Sequence, residues 1–206
     1  NISYFPTANY VLTSSINLTG VDISSRLAEN NAIIAKEFSG VLDGANLSIL
    51  GFNLDDDSNT DVVALENVSN FALFETLSNA TVKNLIIGKE DVQLTLSNTL
   101  DSVSSNVIKL SLLATSANNS IIDNINVLNY KVEINQDSSL TKRSGGIYIG
   151  GLINELTNTT IKDSMINFTA NVNAKVAADD NVKVYIGGVS ATTLYNATKQ
   201  FKIPSA

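Results

Sequence analysis

A short phrase recurs five times along this chain: an Asn-x-Ser/Thr triplet followed by an apolar or long side chain. It reads Asn46-Leu47-Ser48-Ile49, Asn79-Ala80-Thr81-Val82, Asn118-Asn119-Ser120-Ile121, Asn158-Thr159-Thr160-Ile161 and Asn196-Ala197-Thr198-Lys199. The steps from Asn to Asn are 33, 39, 40 and 38 residues. In three copies Leu73, Leu112 and Leu152 stand nine positions before the closing Val82, Ile121 or Ile161. A fixed period of this length is the signature of a solenoid, in which each repeat buries its apolar face only against its neighbours.

The composition agrees with strands and turns. Among 206 residues there are 27 Asn, 23 Ser and 17 Thr. These side chains compete with helical backbone bonding and favour turns or hydroxyl-rich strands. Three units share a plan: an apolar strand (71–77, 110–115, 147–156), the Asn turn, and a second strand (82–87, 121–127, 161–168). A strictly alternating third segment follows (92–96, 130–134, 170–176). Three strands with short turns need only about 25 residues, so each unit has residues to spare for a loop. Like sequences joined through long excursions imply parallel pairing of each unit on the one before. The expected fold is all-β, a parallel, right-handed β-helix of about five rungs with protruding loops or hairpins. Residues 1–206 read as one domain, with an N-terminal strand and capping excursion over 1–37 and repeats over 38–203. Residues 24–36 fit a short helix or an irregular excursion equally well. The sequence 38–52 reads as two strands about a tight turn at Asp43-Gly44.

Several function classes are excluded or disfavoured. The net charge is −7 and no basic cluster is longer than Lys142-Arg143, so neither nucleic acid nor an anionic membrane is an expected partner. No apolar run is long enough for a membrane-spanning helix. There is no Cys and no His, which removes Cys and His nucleophilic or general-base chemistry and nearly every transition-metal site. The chain begins at Asn1 with no initiator Met or signal peptide, and is expected to be part of a longer protein.

The densest carboxylate cluster is Asp55, Asp56 and Asp57, with Asp61 beyond it. Hard oxygen ligands at this density suit Ca²⁺, although the spacing lacks the Gly and terminal Glu of a helix–loop–helix site; a solvated acidic loop is the plainer reading. No other cofactor is expected. The triplets at Asn17, Asn46, Asn67, Asn79, Asn118, Asn158, Asn167 and Asn196 are glycosylation acceptors if the source is eukaryotic. As structural elements, five of them mark one corner of each rung. Asp123 and Asp163 align with Asn84 and could lie on adjacent rungs, a spacing compatible with paired-carboxylate glycoside chemistry. There is no Trp platform, and repetition explains the alignment without catalysis.

Tyr10-Val11-Leu12-Thr13 with Ile16-Asn17-Leu18-Thr19-Gly20, then Phe38-Ser39-Gly40-Val41-Leu42-Asp43-Gly44, resembles the opening of GLUG-motif β-solenoids. The glycine-leucine core of that motif stands as Gly150-Gly151-Leu152-Ile153 and again as Gly187-Gly188-Val189-Ser190. Such regions occur in bacterial surface proteins, including the N-terminal region of IgA1-type metallopeptidases. The resemblance covers most of residues 9–200. It implies a non-catalytic extracellular module, cell-surface or secreted, acting as spacer and adhesion scaffold for a host or neighbouring-cell protein or glycan. The alternatives are the non-catalytic N-terminal region of a large secreted metallopeptidase, or a carbohydrate-active β-helix. Recognition is expected on the loops near 55–61, 97–105, 135–146 and 177–181.

Overall fold

The computed structural model describes residues 2–52, 60–65, 68–100, 105–136, 144–174, 183–194 and 198–201. Strands β1 (Asn9–Val11) and β2 (Ile16–Asn17) precede a helix, α1 (Ile23–Asn30). Then come β3 (Ala35–Phe38), β4 (Val41–Leu50), β5 (Thr60–Ala64), β6 (Asn70–Phe71), β7 (Phe74–Ser78), β8 (Thr81–Ile87) and β9 (Gln93–Leu100). The next turns are β10 (Ile108–Leu110), β11 (Ala114–Asn118) and β12 (Ile121–Gln136), then β13 (Ile147–Gly150), β14 (Ile153–Thr157) and β15 (Thr160–Asn173). Strands β16 (Val184–Gly187), β17 (Ser190–Leu194) and β18 (Thr198–Phe201) follow.

Every pairing among the described strands is parallel. The strands form three walls. The first stacks β6, β10, β13 and β16, and the second stacks β3, β7, β11, β14 and β17. The third runs β1, β4, β8, β12, β15, β18; β2 pairs with β4, and β5 with β9 lies beside the second half of β12. The chain visits the walls in that order and starts again, which makes a parallel β-solenoid of about three turns. Sets β6–β8, β10–β12 and β13–β15 are the regular turns. The established extent falls short of the five rungs expected.

The first strand of each expected unit is in fact two strands with a bend between them, as in β6–β7 and β13–β14. Within the segment 38–52, Phe38 ends β3 and residues 41–50 run as one strand, β4, with no turn splitting it at Asp43-Gly44. It carries an irregularity between Asp43 and Leu47, where two extra residues stand opposite β8. Positive φ falls on Ala45 and Asn46, not on Gly44. Gly44 is required for another reason: a Cβ there would fall on the Asn84 carbonyl oxygen and the Leu85 backbone of the next turn. The ambiguous excursion is helix α1. The Asp22 carboxylate caps it, accepting from the Ser25 N–H at 3.0 Å and the Ser25 hydroxyl at 2.7 Å. Asn31 ends it in the left-handed region, φ 52°. Ile23 and Leu27 bury into the shared core.

The core is built from columns. Leu42, Val82, Ile122 and Ile161 stand in register on successive turns of the third wall, and all are buried. Full burial of such a side chain contributes about 1.5–3 kcal/mol, and repetition multiplies it along the axis. Phe38 and Phe74 stack in the second wall with ring centroids 5.4 Å apart. The buried member of the third repeat is Ile122. The expected Ile121 faces outward, paired with Thr81 and Thr160. The same one-residue slip moves Leu112 to Leu113 in the column with Leu73 and Leu152, so the spacing of nine survives while the register changes.

Candidate binding cleft

The predicted acidic site is only partly observable. Asp55, Asp56 and Asp57 lie outside the described residues, and Asp61 sits on β5 opposite Leu94. Among the described residues no group of three or more His, Cys, Asp or Glu could hold a metal ion. Of the Asn triplets, Asn67 and Asn196 are likewise outside the described residues. Asn17, Asn46, Asn79, Asn118, Asn158 and Asn167 are exposed. The loops expected to bind are also largely outside, although 97–100 belongs to β9 and 135–136 to β12.

The Asn column proves to be two corners rather than one. Between the second and third walls, Asn79, Asn119 and Asn158 take positive φ (54°, 49° and 45°). The corner residue of the third turn is therefore Asn119; Asn118 stands opposite Ser78 and Thr157. Buried hydroxyls stitch this corner. Ser120 Oγ donates to the Asn118 carbonyl and accepts from the Ala80 N–H of the preceding turn, while Thr159 Oγ1 accepts from the Ser120 N–H.

Asn46 belongs to a second corner within the third wall, with Asn84, Asn124 and Asp163 (φ 59°, 53°, 54° and 50°). Asn124 Nδ2 donates to the Asn84 side chain at 3.0 Å and to Asn46 at 3.3 Å; Asn84 Nδ2 donates to Asp43 at 3.1 Å. Left-handed backbone disfavours most residues by about 1–2 kcal/mol, and Asn tolerates it best after Gly. The stacked carboxamides add a bond that Gly could not supply.

The carboxylate alignment also changes. Asp163 aligns with Asn84 and Asn124, whereas Asp123 aligns with Lys83 and Lys162. Asp43, Lys83, Asp123 and Lys162 form a column of alternating charge on the third wall, with Lys83–Asp43 at 3.2 Å and Lys162–Asp123 at 3.0 Å. Asp43 is held below the usual carboxylate range, first by the Ala45 N–H and then by the Asn84 amide and Lys83. The hydrogen bond to Asp123, and its charge, raise the Lys162 ammonium. Asp123 and Asp163 are therefore not stacked in one column: Asp163 sits one residue beyond the Lys162 that pairs with Asp123.

A different group of residues comes together where the first and second walls meet. A cleft of about 480 Å³ is lined by Val107, Lys109, Tyr148, Asn154, Glu155, Tyr185 and Thr192. Lys109, Tyr148 and Tyr185 are one column on β10, β13 and β16, and the two rings stack with centroids 5.2 Å apart. Glu155 and Thr192 are in register on β14 and β17, one wall further on. The bend between these walls is tight: a Cβ on Gly150 would fall on the Ile153 carbonyl oxygen, and Gly187 repeats the arrangement on the next turn. The chain can therefore fold the second wall close beside the first.

Asn154 is the exceptional member. It is only 3% exposed, and neither its Oδ1 nor its Nδ2 has a hydrogen-bond partner. One turn earlier on the same wall, the buried Thr115 hydroxyl is also unpartnered. A buried polar group left unsatisfied costs about 1–3 kcal/mol. Lys109 and Glu155 form no ion pair with a described residue. Sequence reading did not assemble this group. The period itself carried the signal: 109, 148 and 185 are separated by 39 and 37 residues, one turn each.

A second cleft, of about 560 Å³, lies at the N-terminal end of the second wall between Pro6, Asn30, Lys36, Glu37 and Glu75. There the Glu75 carboxylate already accepts from the Asn31 carboxamide at 3.0 Å. Comparison with known families, curated proteins and solved structures finds no match to this chain.

Proposed function

We propose that this chain is a non-catalytic, extracellular β-solenoid module of a cell-surface protein, working without a cofactor as a spacer and as a scaffold for a bound ligand. In this reading the end sets β3–β4 and β16–β18 are further rungs of one right-handed, five-rung helix. The GLUG resemblance joins the same proposal. Supporting it, the glycine pair of that motif occupies the tight bend beside the cleft. The observation that carries the binding role is Asn154, a buried carboxamide without a partner, set in a cleft between two rigid walls. A pure spacer gains nothing from an unsatisfied amide at that position, whereas a ligand would complete it.

The test is a ligand screen by thermal shift on the folded chain, since a ligand that binds only the native state raises its stability by mass action. The expected result is at least one ligand whose shift is lost in Asn154→Ala and kept in Lys131→Ala, a substitution on the far side of the third wall. A broad screen without any Asn154-dependent ligand would remove the binding role and leave the spacer alone.

A further inference from the structure

We infer that the cleft between the first and second walls is a site for a neutral saccharide of one or two pyranose rings. The inference rests on the binding role proposed above and adds the class of ligand.

The cleft sets directional polar groups beside aromatic surface. The carboxamide of Asn154 presents an acceptor oxygen and a donor nitrogen side by side in one plane. That pair matches two neighbouring hydroxyls on a sugar ring, each of which can donate and accept. The carboxylate of Glu155 accepts from a further pair and the Lys109 ammonium donates, while the Thr192 hydroxyl, which donates to the Asn154 backbone carbonyl oxygen at 3.4 Å, can accept. Tyr148 and Tyr185 supply aromatic surface for the apolar face of a ring. The volume, about 480 Å³, is within the usual range of small-molecule sites.

Other classes fit less well. A peptide added as a strand needs a free sheet edge. Among the described strands the edges near the cleft lie at the ends of the stacks, on β16 and β17, and a strand added there would extend the axis; the cleft instead runs across side chains of β10, β13, β14, β16 and β17. A phosphate or a polyanion would meet the Glu155 carboxylate opposite the single Lys109. A lipid tail would find mainly Val107. The unpartnered donor and acceptor on Asn154 ask for a ligand rich in hydroxyls.

The experiment is an NMR titration of the full 206-residue chain with glucose, galactose, mannose, N-acetylglucosamine and a few neutral disaccharides. The expected result is a saturable shift of the Asn154 side-chain amide pair and of the Tyr148 and Tyr185 signals. Asn154→Ala should weaken the binding at least tenfold, and Tyr185→Ala and Glu155→Gln should weaken it measurably, with Lys131→Ala unchanged. Amides of β8 and β12 report that each variant is folded; if Asn154→Ala does not fold, the other two carry the test. If no sugar moves the Asn154 amide while a peptide library does so in an Asn154-dependent manner, the saccharide assignment is wrong and the binding role stands. If neither ligand class moves it, both fall.

Discussion

Tyr130 allows a sharp test of the packing. It lies on β12 between the β9 and β15 strands, in register with Leu94 and Phe168, and its ring packs against Phe168 at 5.1 Å. The residue is 2% exposed and its hydroxyl has no partner. Tyr130→Phe removes one oxygen and keeps the ring. The desolvation penalty of an unsatisfied hydroxyl is about 1–3 kcal/mol. Against it stand the few dispersion contacts of that oxygen, at about 0.1–0.2 kcal/mol each. The balance is a gain near 1 kcal/mol, which for a domain of this size raises the melting temperature by about 2–4 °C. Burial also pushes the phenol well above its ordinary 10.0. A group raised in the folded state contributes its stability below the unfolded value and loses it as pH climbs beyond that value. The wild type should therefore lose stability above pH 10 more steeply than the Phe variant. Urea unfolding at pH 7 and at pH 10 to 11 measures both effects. A Phe variant that is less stable at pH 7, or that shows the same alkaline slope, would mean that the hydroxyl has a partner and that the packing argument fails.

Four further outcomes follow from the corners and the cap. Asn124→Ala should cost about 2 kcal/mol, combining left-handed strain with lost hydrogen bonds, and Asn124→Gly about 1 kcal/mol because only the bonds are lost; urea midpoints rank them. Asp43 is lowered in the folded state, so its contribution is present above the unfolded value of 3.8 and fades as pH falls through the lower folded one. Acid unfolding of Asp43→Asn should accordingly be flatter below pH 4 than that of the wild type. Asp22→Ala removes the cap of α1 and should lower the urea midpoint, with faster amide exchange at Ser25 and little change in β12. Hydrogen exchange should protect Val82–Ile87, Ile121–Val127 and Ile161–Phe168 together, and fast exchange throughout those strands would be incompatible with a stacked core.

Much of the architecture was legible because solenoid physics writes the same constraint once per turn. Of the alternating segments, 93–96, 130–134 and 170–173 are strands beside one another as expected, since alternation reports one buried face. The register of the third turn was not legible. Leu112-Leu113, Asn118-Asn119 and Ile121-Ile122 are doubled at all three marker positions, so two alignments score alike. Backbone conformation and burial decide between them, placing Leu113, Asn119 and Ile122 in the columns. Asn46 joined the wrong corner because its triplet resembles the others, while the two extra residues in β4 displace it. The cleft was hidden for a related reason. Its residues come from three turns and two walls, and no local motif marks them. The acidic run at Asp55–Asp57 drew notice by density alone and falls outside the described residues.

The column Asp43, Lys83, Asp123, Lys162 has a longer arithmetic than the fold that carries it. Backbone, hydroxyl and leucine positions repeat every turn, but the sign of charge repeats every second turn. Copying or deleting a single turn within this run leaves two like charges about 4.8 Å apart along the axis, whereas changing the length by two restores the alternation. The chain thus carries a parity rule: the backbone can lengthen by ones, and this face tolerates growth by pairs.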